Sequence, residues 1–297
     1  MQKIYNYLYT AKYVIEQNNQ DELLKNKILD KRELKSIDYE ILSKVFLEEK
    51  KGNKKLYKKI EDKKFNEKSK EFKEFVKIVR KRLREIYGVF FKDSLSEEQK
   101  ENLLKKLGTE NEDKTIKKIL KSHLSTYERY STLVDVYKQI FSTTGCPDKI
   151  LDLGCGYTPF SYSYLGYEPE YVASDISKDN LNFIKKYFDF KKINGQIISA
   201  DLTEKEDINK ISEISKSCEV CFLFKLLDSL EAIKRGSSKE LLDSLKCDFF
   251  VISFPKGTIS GKKTITSKRK WFQKIMDNMT FLDEFEMGPE TYYVLKH

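Results

Sequence analysis

The stretch Lys149-Ile-Leu-Asp-Leu-Gly-Cys-Gly-Tyr-Thr-Pro-Phe160 decides the fold, because a short apolar strand runs directly into two closely spaced glycines. Glycine lets the backbone turn sharply and approach a ligand, and a nucleotide-binding α/β domain usually opens in this way. Asp152 can hold the turn or meet a ligand amine, and Gly154, Cys155 and Gly156 form the loop. A tight turn without a ligand is the alternative that this stretch alone leaves open.

Acidic residues follow the next apolar strands. The second strand ends in Asp175, about 20 residues after the glycines, which is the spacing at which a carboxylate reaches a ribose. The third ends in Asp201, and a fourth, Glu219–Phe224, leads into Lys225. This alternation is typical of S-adenosylmethionine binding, with Asp175 on the ribose hydroxyls and Asp201 beside the adenine. The predicted cofactor residues at these strand ends are Asp152, Gly154, Cys155, Gly156, Asp175, Ile176, Asp201, Leu202 and Phe224.

Other ligand classes are disfavoured. Pro159 stands three residues after Gly156, where a G-x-G-x-x-G/A dinucleotide loop needs a glycine or alanine, and the chain has no G-x-x-x-x-G-K-[ST] phosphate loop. Cys218-x-x-Cys221 is half of a zinc pattern, but Cys221 lies in an apolar strand and the chain has only 2 histidines, so we predict no metal. The 5 cysteines sit at apolar positions, and no apolar run approaches a membrane span, so we expect a cytoplasmic protein with reduced thiols and no membrane contact.

Domain organisation follows from the position of the glycine loop, which begins halfway along the 297 residues. The half before it shows helical spacing without a strand pattern, including helices across Ser96 to Leu107 and Asp113 to Lys121. We predict a basic all-α domain over residues 1–122. Residues 123–297 are predicted to form an α/β, Rossmann-like, S-adenosylmethionine-dependent methyltransferase domain with its leading helix.

Positive charge is concentrated in residues 51–100, which hold 17 Lys and Arg against 9 Asp and Glu in a protein of net charge +9. Phe72, Phe75, Val79 and Leu83 follow helical spacing there. The cations that fall largely on another face are Lys73, Lys77, Arg80, Lys81 and Arg84. Such a stripe attracts phosphates and predicts RNA binding, whereas a solvated face of a Lys- and Glu-rich protein is the alternative.

A further helix is predicted from His123 to about Phe141, just before the first strand. Ser125 and Glu128 have capping-box spacing, so we assign Glu128 to closing the helix N-terminus. Arg129 has no role in a cap. A guanidinium at this place is suited to a bidentate pair with a carboxylate of the cofactor, and we therefore add Arg129 to the predicted cofactor site.

Four ordered motifs resemble the aminoglycoside-resistance 16S ribosomal RNA guanine-N7 methyltransferases, the Arm/Rmt family. They are His123-Leu-Ser-Thr-Tyr-Glu-Arg129, Ile150-Leu-Asp-Leu-Gly-Cys-Gly-Tyr-Thr-Pro-Phe160, Lys225-Leu-Leu-Asp-Ser-Leu-Glu231 and Ser253-Phe-Pro-Lys-Gly-Thr-Ile-Ser-Gly-Lys262. The last departs from the family's S-F-P-T-[KR]-S-L-G-G-[KR] at Lys256-Gly257 and at Ser260. The resemblance implies S-adenosylmethionine as cofactor and ribosomal RNA of the 30S subunit as partner, with the N-terminal domain docking on that subunit.

The expected chemistry needs no general base, because guanine N7 carries a lone pair and no proton. Arg129 and Lys225 are therefore predicted as positioning residues rather than as proton acceptors. Exocyclic amine methylation is disfavoured, since Phe224-Lys225-Leu226-Leu227 stands where a [DNS]-P-P-[YFW] motif is common. Cytosine C5 methylation needs a nucleophilic cysteine beside the cofactor, and neither Cys155 nor Cys221 is suitably placed.

The N7 edge is hidden in A-form RNA, so we expect an unpaired or flipped guanine, with Tyr127, Tyr130 and Phe160 as stacking candidates or ordinary packing residues. The segment after the fifth strand forms a second predicted RNA contact, or a mobile solvated loop, with Lys256, Lys262, Lys263, Lys268, Arg269 and Lys270. The alternatives for the whole chain, expected to be a monomer, are a transfer RNA guanine methyltransferase, a non-catalytic ribosomal RNA-binding assembly factor and a small-molecule methyltransferase.

Overall fold

The computed structural model describes residues 19–31, 34, 37, 39–87, 95–108, 111–256 and 269–297. Contacts divide the chain into two compact units, Met1–Phe91 and Lys92–His297. Within the described residues, no helix combines the length and the apolar character needed to cross a membrane.

The described part of the first unit consists of helices and turns. Its helices are α1 (residues 19–29), α2 (Tyr39–Gly52), α3 (Lys54–Asp62) and α4 (Lys70–Tyr87). Phe46, Tyr57 and Phe75 pack edge to face, with ring centroids 5.5 to 6.5 Å apart. The predicted amphipathic helix is confirmed as α4, because Phe75 and Leu83 are fully buried while the lysines between them lie outside the core.

The second unit contains a seven-stranded sheet with helices around it. Its helices are α5 (Glu97–Lys106), α6 (Glu112–Lys121), α7 (Leu124–Arg129), α8 (Leu133–Thr144), α9 (Lys178–Lys191), α10 (Lys205–Ser215), α11 (Leu227–Ile233), α12 (Ser237–Ser244) and α13 (Lys270–Met276). Its strands are β1 (Lys149–Leu153), β2 (Glu170–Asp175), β3 (Gly195–Ser199), β4 (Val220–Phe224), β5 (Phe249–Pro255), β6 (Thr280–Met287) and β7 (Glu290–Lys296).

The strand order is β3-β2-β1-β4-β5-β7-β6, with β1 to β5 parallel and β7 antiparallel to both neighbours. The order reverses between β1 and β4, which pair Ile150 with Val220. In open α/β sheets, ligands bind outside the carboxyl ends of the strands at such a reversal. The predicted Rossmann-like α/β fold is therefore present, and the reversal places the glycine loop at its binding edge.

Two apolar cores cover the two faces of the sheet, because successive strand side chains point to opposite sides. Ile150 belongs to the core that also contains residues of α5, α6, α8 and α9. Leu151 belongs to the other core, with residues of α10, α11, α12 and α13. The two faces are thus covered by different sets of helices.

Two predicted boundaries differ from those observed. Leu103 and Ile116 share the core of the sheet, so α5 and α6 pack with the second unit although the sequence placed the boundary after residue 122. The single helix predicted from His123 to about Phe141 is wrong, because a 3₁₀ turn at Tyr130–Thr132 separates α7 from α8. The hydroxyl of Thr132 donates to the carbonyl of Arg129 at 3.0 Å, a local bond of the kind that competes with continued helix.

Candidate active site

The loop after β1 depends on both of its glycines. Gly154 and Gly156 adopt φ values of 62° and 51°, in the left-handed region that side chains disfavour. A Cβ on Gly154 would lie 2.8 Å from Cδ1 of Leu226, and one on Gly156 would lie 2.8 Å from Cε1 of His123. The loop is therefore closely covered on two sides, and neither position has room for a side chain.

Asp175 ends β2, as the sequence predicts, and it is buried. Its Oδ2 accepts a hydrogen bond of 2.9 Å from the amide of Gly156, and its Oδ1 accepts one of 2.8 Å from the amide of Ser177. Burial raises the pKa of Asp175, while these amide bonds favour the charged form and oppose the rise. Asp175 therefore holds the glycine loop, and its contact with a ribose remains a prediction.

Asp152 lies inside β1, beneath the loop, and is buried. The hydroxyl of Tyr171 donates to its Oδ2 at 2.7 Å. Burial raises the pKa of Asp152 to about 7, although Tyr171 and the nearby Arg129 act in the opposite direction. The carboxyl group thus joins β1 to β2, whereas its predicted contact with a ligand amine remains a prediction.

Arg129 is buried at the carboxyl edge of the sheet, 2% exposed. Its Nη2 donates to the hydroxyls of Ser125 at 3.0 Å and Thr158 at 3.4 Å, and its Nη1 lies 3.4 Å from Oε2 of Glu290. Its Cζ stands 4.9 Å from the ring centroid of Phe224. Arg129 therefore reaches the strand ends beside the glycine loop, as expected for a residue over the cofactor.

Glu290 begins β7, is fully buried and was missed in the sequence. The hydroxyl of Ser253 donates to its Oε2 at 2.6 Å. Burial opposes the charge of Arg129, but the attraction of Glu290 and neighbouring groups raises the pKa of the guanidinium overall. The sequence does contain a signal, because Glu290, Tyr292 and Val294 alternate on the inner face of one strand, and an acid at such a place needs a partner.

A second ion pair lies beside the first. Glu128, the neighbour of Arg129, accepts a hydrogen bond from Nζ of Lys225, which follows β4 and has a left-handed φ of 56°. The amide of Lys225 donates to Ser253, both to its carbonyl at 3.0 Å and to its hydroxyl at 3.1 Å. The capping-box assignment of Glu128 is wrong, because the helix already begins at Leu124, which places Ser125 inside it.

The remaining predicted cofactor residues also lie at the carboxyl ends of the parallel strands. Cys155 and Phe224 are buried, and Leu202 lies two residues beyond Ala200 in the turn that follows β3. Ile176 is half-buried after β2. Oδ1 of Asp201 accepts hydrogen bonds from the amide and the hydroxyl of Thr203, at 3.0 and 2.6 Å. The topology therefore brings the whole predicted set to one edge, and its binding role remains a prediction.

The basic stripe of the first unit lines an open cleft of about 310 Å³. Its cations are Lys27, Lys31, Lys73, Lys77, Arg80 and Arg84, and its other lining residues are Glu67, Phe72 and Val76. Arg80 also has a structural role, because it donates to the main-chain carbonyls of Lys27 and Ile28 and so joins α4 to α1. Lys81 is exposed on the same helix, outside the cleft lining.

The second predicted RNA contact is partly described. Lys256 pairs with Glu286 at 2.9 Å, and Arg269 forms a bidentate pair with Asp228 at 2.8 and 2.7 Å. Lys262, Lys263 and Lys268 lie outside the described residues, as does the side chain of Lys270.

Of the stacking candidates, Phe160 is fully buried against Phe183 and Tyr187, with ring centroids 4.6 and 4.8 Å apart. Phe160 is therefore a packing residue. Tyr127 is 54% exposed, and Tyr130 is half-buried beneath Lys121, whose Nζ lies 5.1 Å from its ring centroid.

Sequence comparison places the chain among known proteins. The sequence model of a family described as "Ribosomal RNA methyltransferase (FmrO)" matches residues 57–279. A 16S rRNA (guanine(1405)-N(7))-methyltransferase of Proteus mirabilis is 26% identical over 244 residues, which cover 75% of this chain and 84% of that protein. One from Micromonospora rosea is 27% identical over 233 residues, covering 74% and 81%.

Structure comparison agrees on the fold. The crystal structure of the 16S rRNA methyltransferase RmtF in complex with S-adenosyl-L-homocysteine superposes with a TM-score of 0.70 at 22% identity, covering 94% of this chain and 98% of that one. The structure of the 16S rRNA methylase ArmA gives a TM-score of 0.54 at 26% identity, covering 68% and 99%.

Proposed function

The chain belongs to the FmrO family of ribosomal RNA methyltransferases, and from this premise we propose that it methylates N7 of a guanine in the RNA of the small ribosomal subunit. It is an S-adenosylmethionine-dependent enzyme. The observation that carries the proposal is the family match across residues 57–279, which extends from the basic unit through the five parallel strands of the sheet. The relatives in Proteus and Micromonospora, named as guanine-N7 enzymes, support the choice of atom.

The described groups at the carboxyl edge suit a reaction without proton abstraction. Glu128 and Glu290 are hydrogen bonded to cations, and Asp175 is hydrogen bonded to main-chain amides. Burial raises the pKa of Cys155 and of Cys221 well above the usual value, so both remain thiols and are poor nucleophiles for cytosine C5. Alignment of N7 with the methyl group is then the main task of the site.

The residues at this edge fit S-adenosylmethionine. Nε of Arg129 is a buried donor without a partner among the described residues, and it suits the carboxylate of the cofactor. The backbone at Gly154 and Gly156 allows a close approach, and Asp175 supplies an acid at the end of β2. The bound cofactor supplies an electrophilic methyl group, and these residues hold and orient it.

The basic cleft of the first unit is the proposed docking surface for RNA phosphates. Lys73 and Lys77 are exposed at its wall, and Arg84 is exposed one turn beyond Arg80. Cations so placed displace counterions from phosphates regardless of base sequence. Lys256 and Arg269 also carry positive charge, and they form ion pairs with Glu286 and Asp228. We further propose that the enzyme acts as a monomer in the cytoplasm, where ribosomal RNA is its substrate.

The test is methyl transfer from radiolabelled S-adenosylmethionine to 30S subunits, to free 16S RNA and to bulk transfer RNA, followed by nucleoside analysis. The expected product is N7-methylguanosine from the 30S subunits. The control is the Asp175→Ala variant, which should transfer little label although its RNA-docking unit is unchanged. The second acceptor is 30S subunits already methylated by the Proteus enzyme. Transfer to these subunits shows whether both enzymes modify the same guanine.

Each result decides one part of the proposal. Label only in transfer RNA would replace the substrate, and label in a different nucleoside would replace the target atom. Tight binding of cofactor and 30S subunits without any transfer would identify a non-catalytic assembly factor. Undiminished label on the premethylated subunits would mean that this chain modifies a different position from its relatives.

A further inference from the structure

The ion pair between Arg129 and Glu290 leaves hydrogen-bonding capacity unused. Nε of Arg129 is buried and has no hydrogen-bond partner among the described residues, whereas Glu290 also interacts with the hydroxyl of Tyr292. Buried polar atoms of folded proteins are almost always partnered. A free donor on a buried guanidinium, at the carboxyl edge of the sheet, indicates an arrangement that a ligand completes.

The hydrogen bond between Ser253 and Glu290 is shorter than the contact between Glu290 and Arg129. Its Oε2 accepts a hydrogen bond of 2.6 Å from Ser253, a residue of β5, while the same oxygen lies 3.4 Å from Nη1 of Arg129. A guanidinium and a carboxylate can form two parallel bonds, and this pair forms one long contact instead. Glu290 thus neutralises the guanidinium without occupying all its donors.

Three elements restrict the orientation of Arg129. Ser125 contacts it from α7, Thr158 from the segment after the glycine loop, and Glu290 from β7. Its Cζ also lies over the ring of Phe224 at the end of β4. A buried arginine without a counter-charge is strongly unfavourable, so the acid that compensates it also fixes where it can bind an anion.

We propose that Glu290 is a positioning residue for the cofactor: it balances the charge of Arg129 and orients its guanidinium so that Nε meets the carboxylate of the amino-acid end of S-adenosylmethionine. The proposal rests on the cofactor of the proposed function and is independent of the RNA target. Ser253 acts one step further away, because its hydroxyl fixes the oxygen of Glu290 that faces Arg129.

The test compares two ligands of the RNA-free protein by calorimetry. S-adenosylhomocysteine has the amino-acid end, and 5′-methylthioadenosine shares its adenosine and thioether but lacks that end. Glu290→Gln keeps the size of the side chain and an acceptor for Ser253 while it removes the charge. We expect this variant to lower the affinity for S-adenosylhomocysteine at least about tenfold, which is the scale of one hydrogen bond to a charged group. The affinity for methylthioadenosine should change less than about twofold.

Val251→Ala is the matched control, because Val251 is fully buried in β5 and its truncation loosens the core, while its apolar side chain takes no part in the hydrogen bonds of the pair. The Val251→Ala variant should lower the affinity for both ligands equally or for neither. If Glu290→Gln is too unstable to purify, Ser253→Ala replaces it. This variant should also lose affinity selectively for S-adenosylhomocysteine, but the loss should be smaller. Equal loss for both ligands, as in the control, would reduce Glu290 to a structural residue. Because no RNA is present, this result stands whatever the acceptor proves to be.

Discussion

The amide of Gly156 donates to Oδ2 of Asp175 at 2.9 Å, so the loop after the first strand is fixed by the acid that ends the second. The bond crosses between two adjacent parallel strands, which pair from Lys149 with Glu170 to Leu153 with Ser174. An acid expected to bind the ribose therefore also shapes the loop that is predicted to hold the cofactor. Replacing Asp175 should therefore affect the site in two ways, through the expected contact with the ligand and through the position of the loop.

Replacing Asp175 with alanine should weaken S-adenosylhomocysteine by about tenfold or more, because two amide bonds to a carboxylate and the ribose contact are lost together. The Asp175→Asn variant can still accept one hydrogen bond from a main-chain amide and should lose less affinity. Calorimetry measures the affinity, and hydrogen exchange at the Gly156 amide reports the loop. Unchanged affinity in both variants would remove Asp175 from the site.

Stability should depend on pH through two buried groups with opposite effects. Burial, with help from Arg129 and Lys225, lowers the pKa of His123 from 6.5 to about 4, so its contribution is lost as pH falls through that window. Burial raises the pKa of Asp152 from 3.8 to about 7, so its contribution is present at low pH and lost as pH rises. Between about pH 4 and 6.5 the two trends oppose each other.

Variants should separate these two trends. Relative to the unmodified protein, Asp152→Asn should lose stability as pH falls from about 7 to 3.8, and His123→Gln should lose it as pH rises from about 4 to 6.5. The slopes should not exceed about 1.4 kcal/mol per pH unit for each group. Urea unfolding at a series of pH values measures them. Parallel curves for all three proteins would show that neither group titrates as described.

The cleft of the first unit should account for part of the salt dependence of 30S binding. A Lys73→Gln and Lys77→Gln double variant should bind more weakly, and its log–log salt slope should fall by about 1.5, since each lost phosphate contact removes roughly 0.7 to 0.9. The same charge change at the exposed Lys210 of α10 and at Lys216, which follows that helix, is the control and should leave the slope unchanged.

Arg80 should behave differently from its basic neighbours. Because it donates to the carbonyls of Lys27 and Ile28, Arg80→Gln should lower the thermal midpoint as well as the affinity, whereas the lysine variants should leave that midpoint unchanged. Equal thermal midpoints for all the variants would contradict the structural role assigned to Arg80.

Lys225 allows a test of backbone strain at the site. Its φ of 56° is unfavourable for lysine and alanine but not for glycine. Both Lys225→Ala and Lys225→Gly lose the ion pair with Glu128, yet only glycine relieves the backbone, so Lys225→Gly should be more stable by about 0.5–1 kcal/mol. Urea unfolding measures the difference. The opposite order would show that the strain at this residue is absent in solution.

Much of the fold was accessible from the sequence, because the parallel strands are short, mostly apolar runs, and polar residues end or follow several of them. Asp175 and Lys225 follow β2 and β4 where predicted, and Ser96 caps α5 through a bond from the amide of Gln99. The family resemblance is confirmed by the match to residues 57–279. These features depend on local pattern, which a single sequence carries.

The partners of the site residues were not accessible in the same way. Glu290 lies 161 positions from Arg129, and Glu128 lies 97 positions from Lys225, so tertiary packing alone brings each pair together. The capping-box spacing of Ser125 and Glu128 was misleading, because Glu128 pairs with a distant lysine of opposite charge instead of capping its own helix. Distant contacts of this kind determine which role a polar residue takes.

Glu128 and Arg129 are adjacent and oppositely charged, and each meets an opposite charge from a different strand end. If α7 were displaced along its path by one residue, either Arg129 would face Lys225 or Glu128 would face Glu290, so one attraction would become a repulsion and a tyrosine would replace the charge at the other place. The dipeptide therefore distinguishes the correct alignment of the leading helix from its nearest incorrect ones. A reversal of either charge alone should be tolerated poorly, while exchanging Glu128 with Arg129 and Lys225 with Glu290 in one protein would restore both attractions.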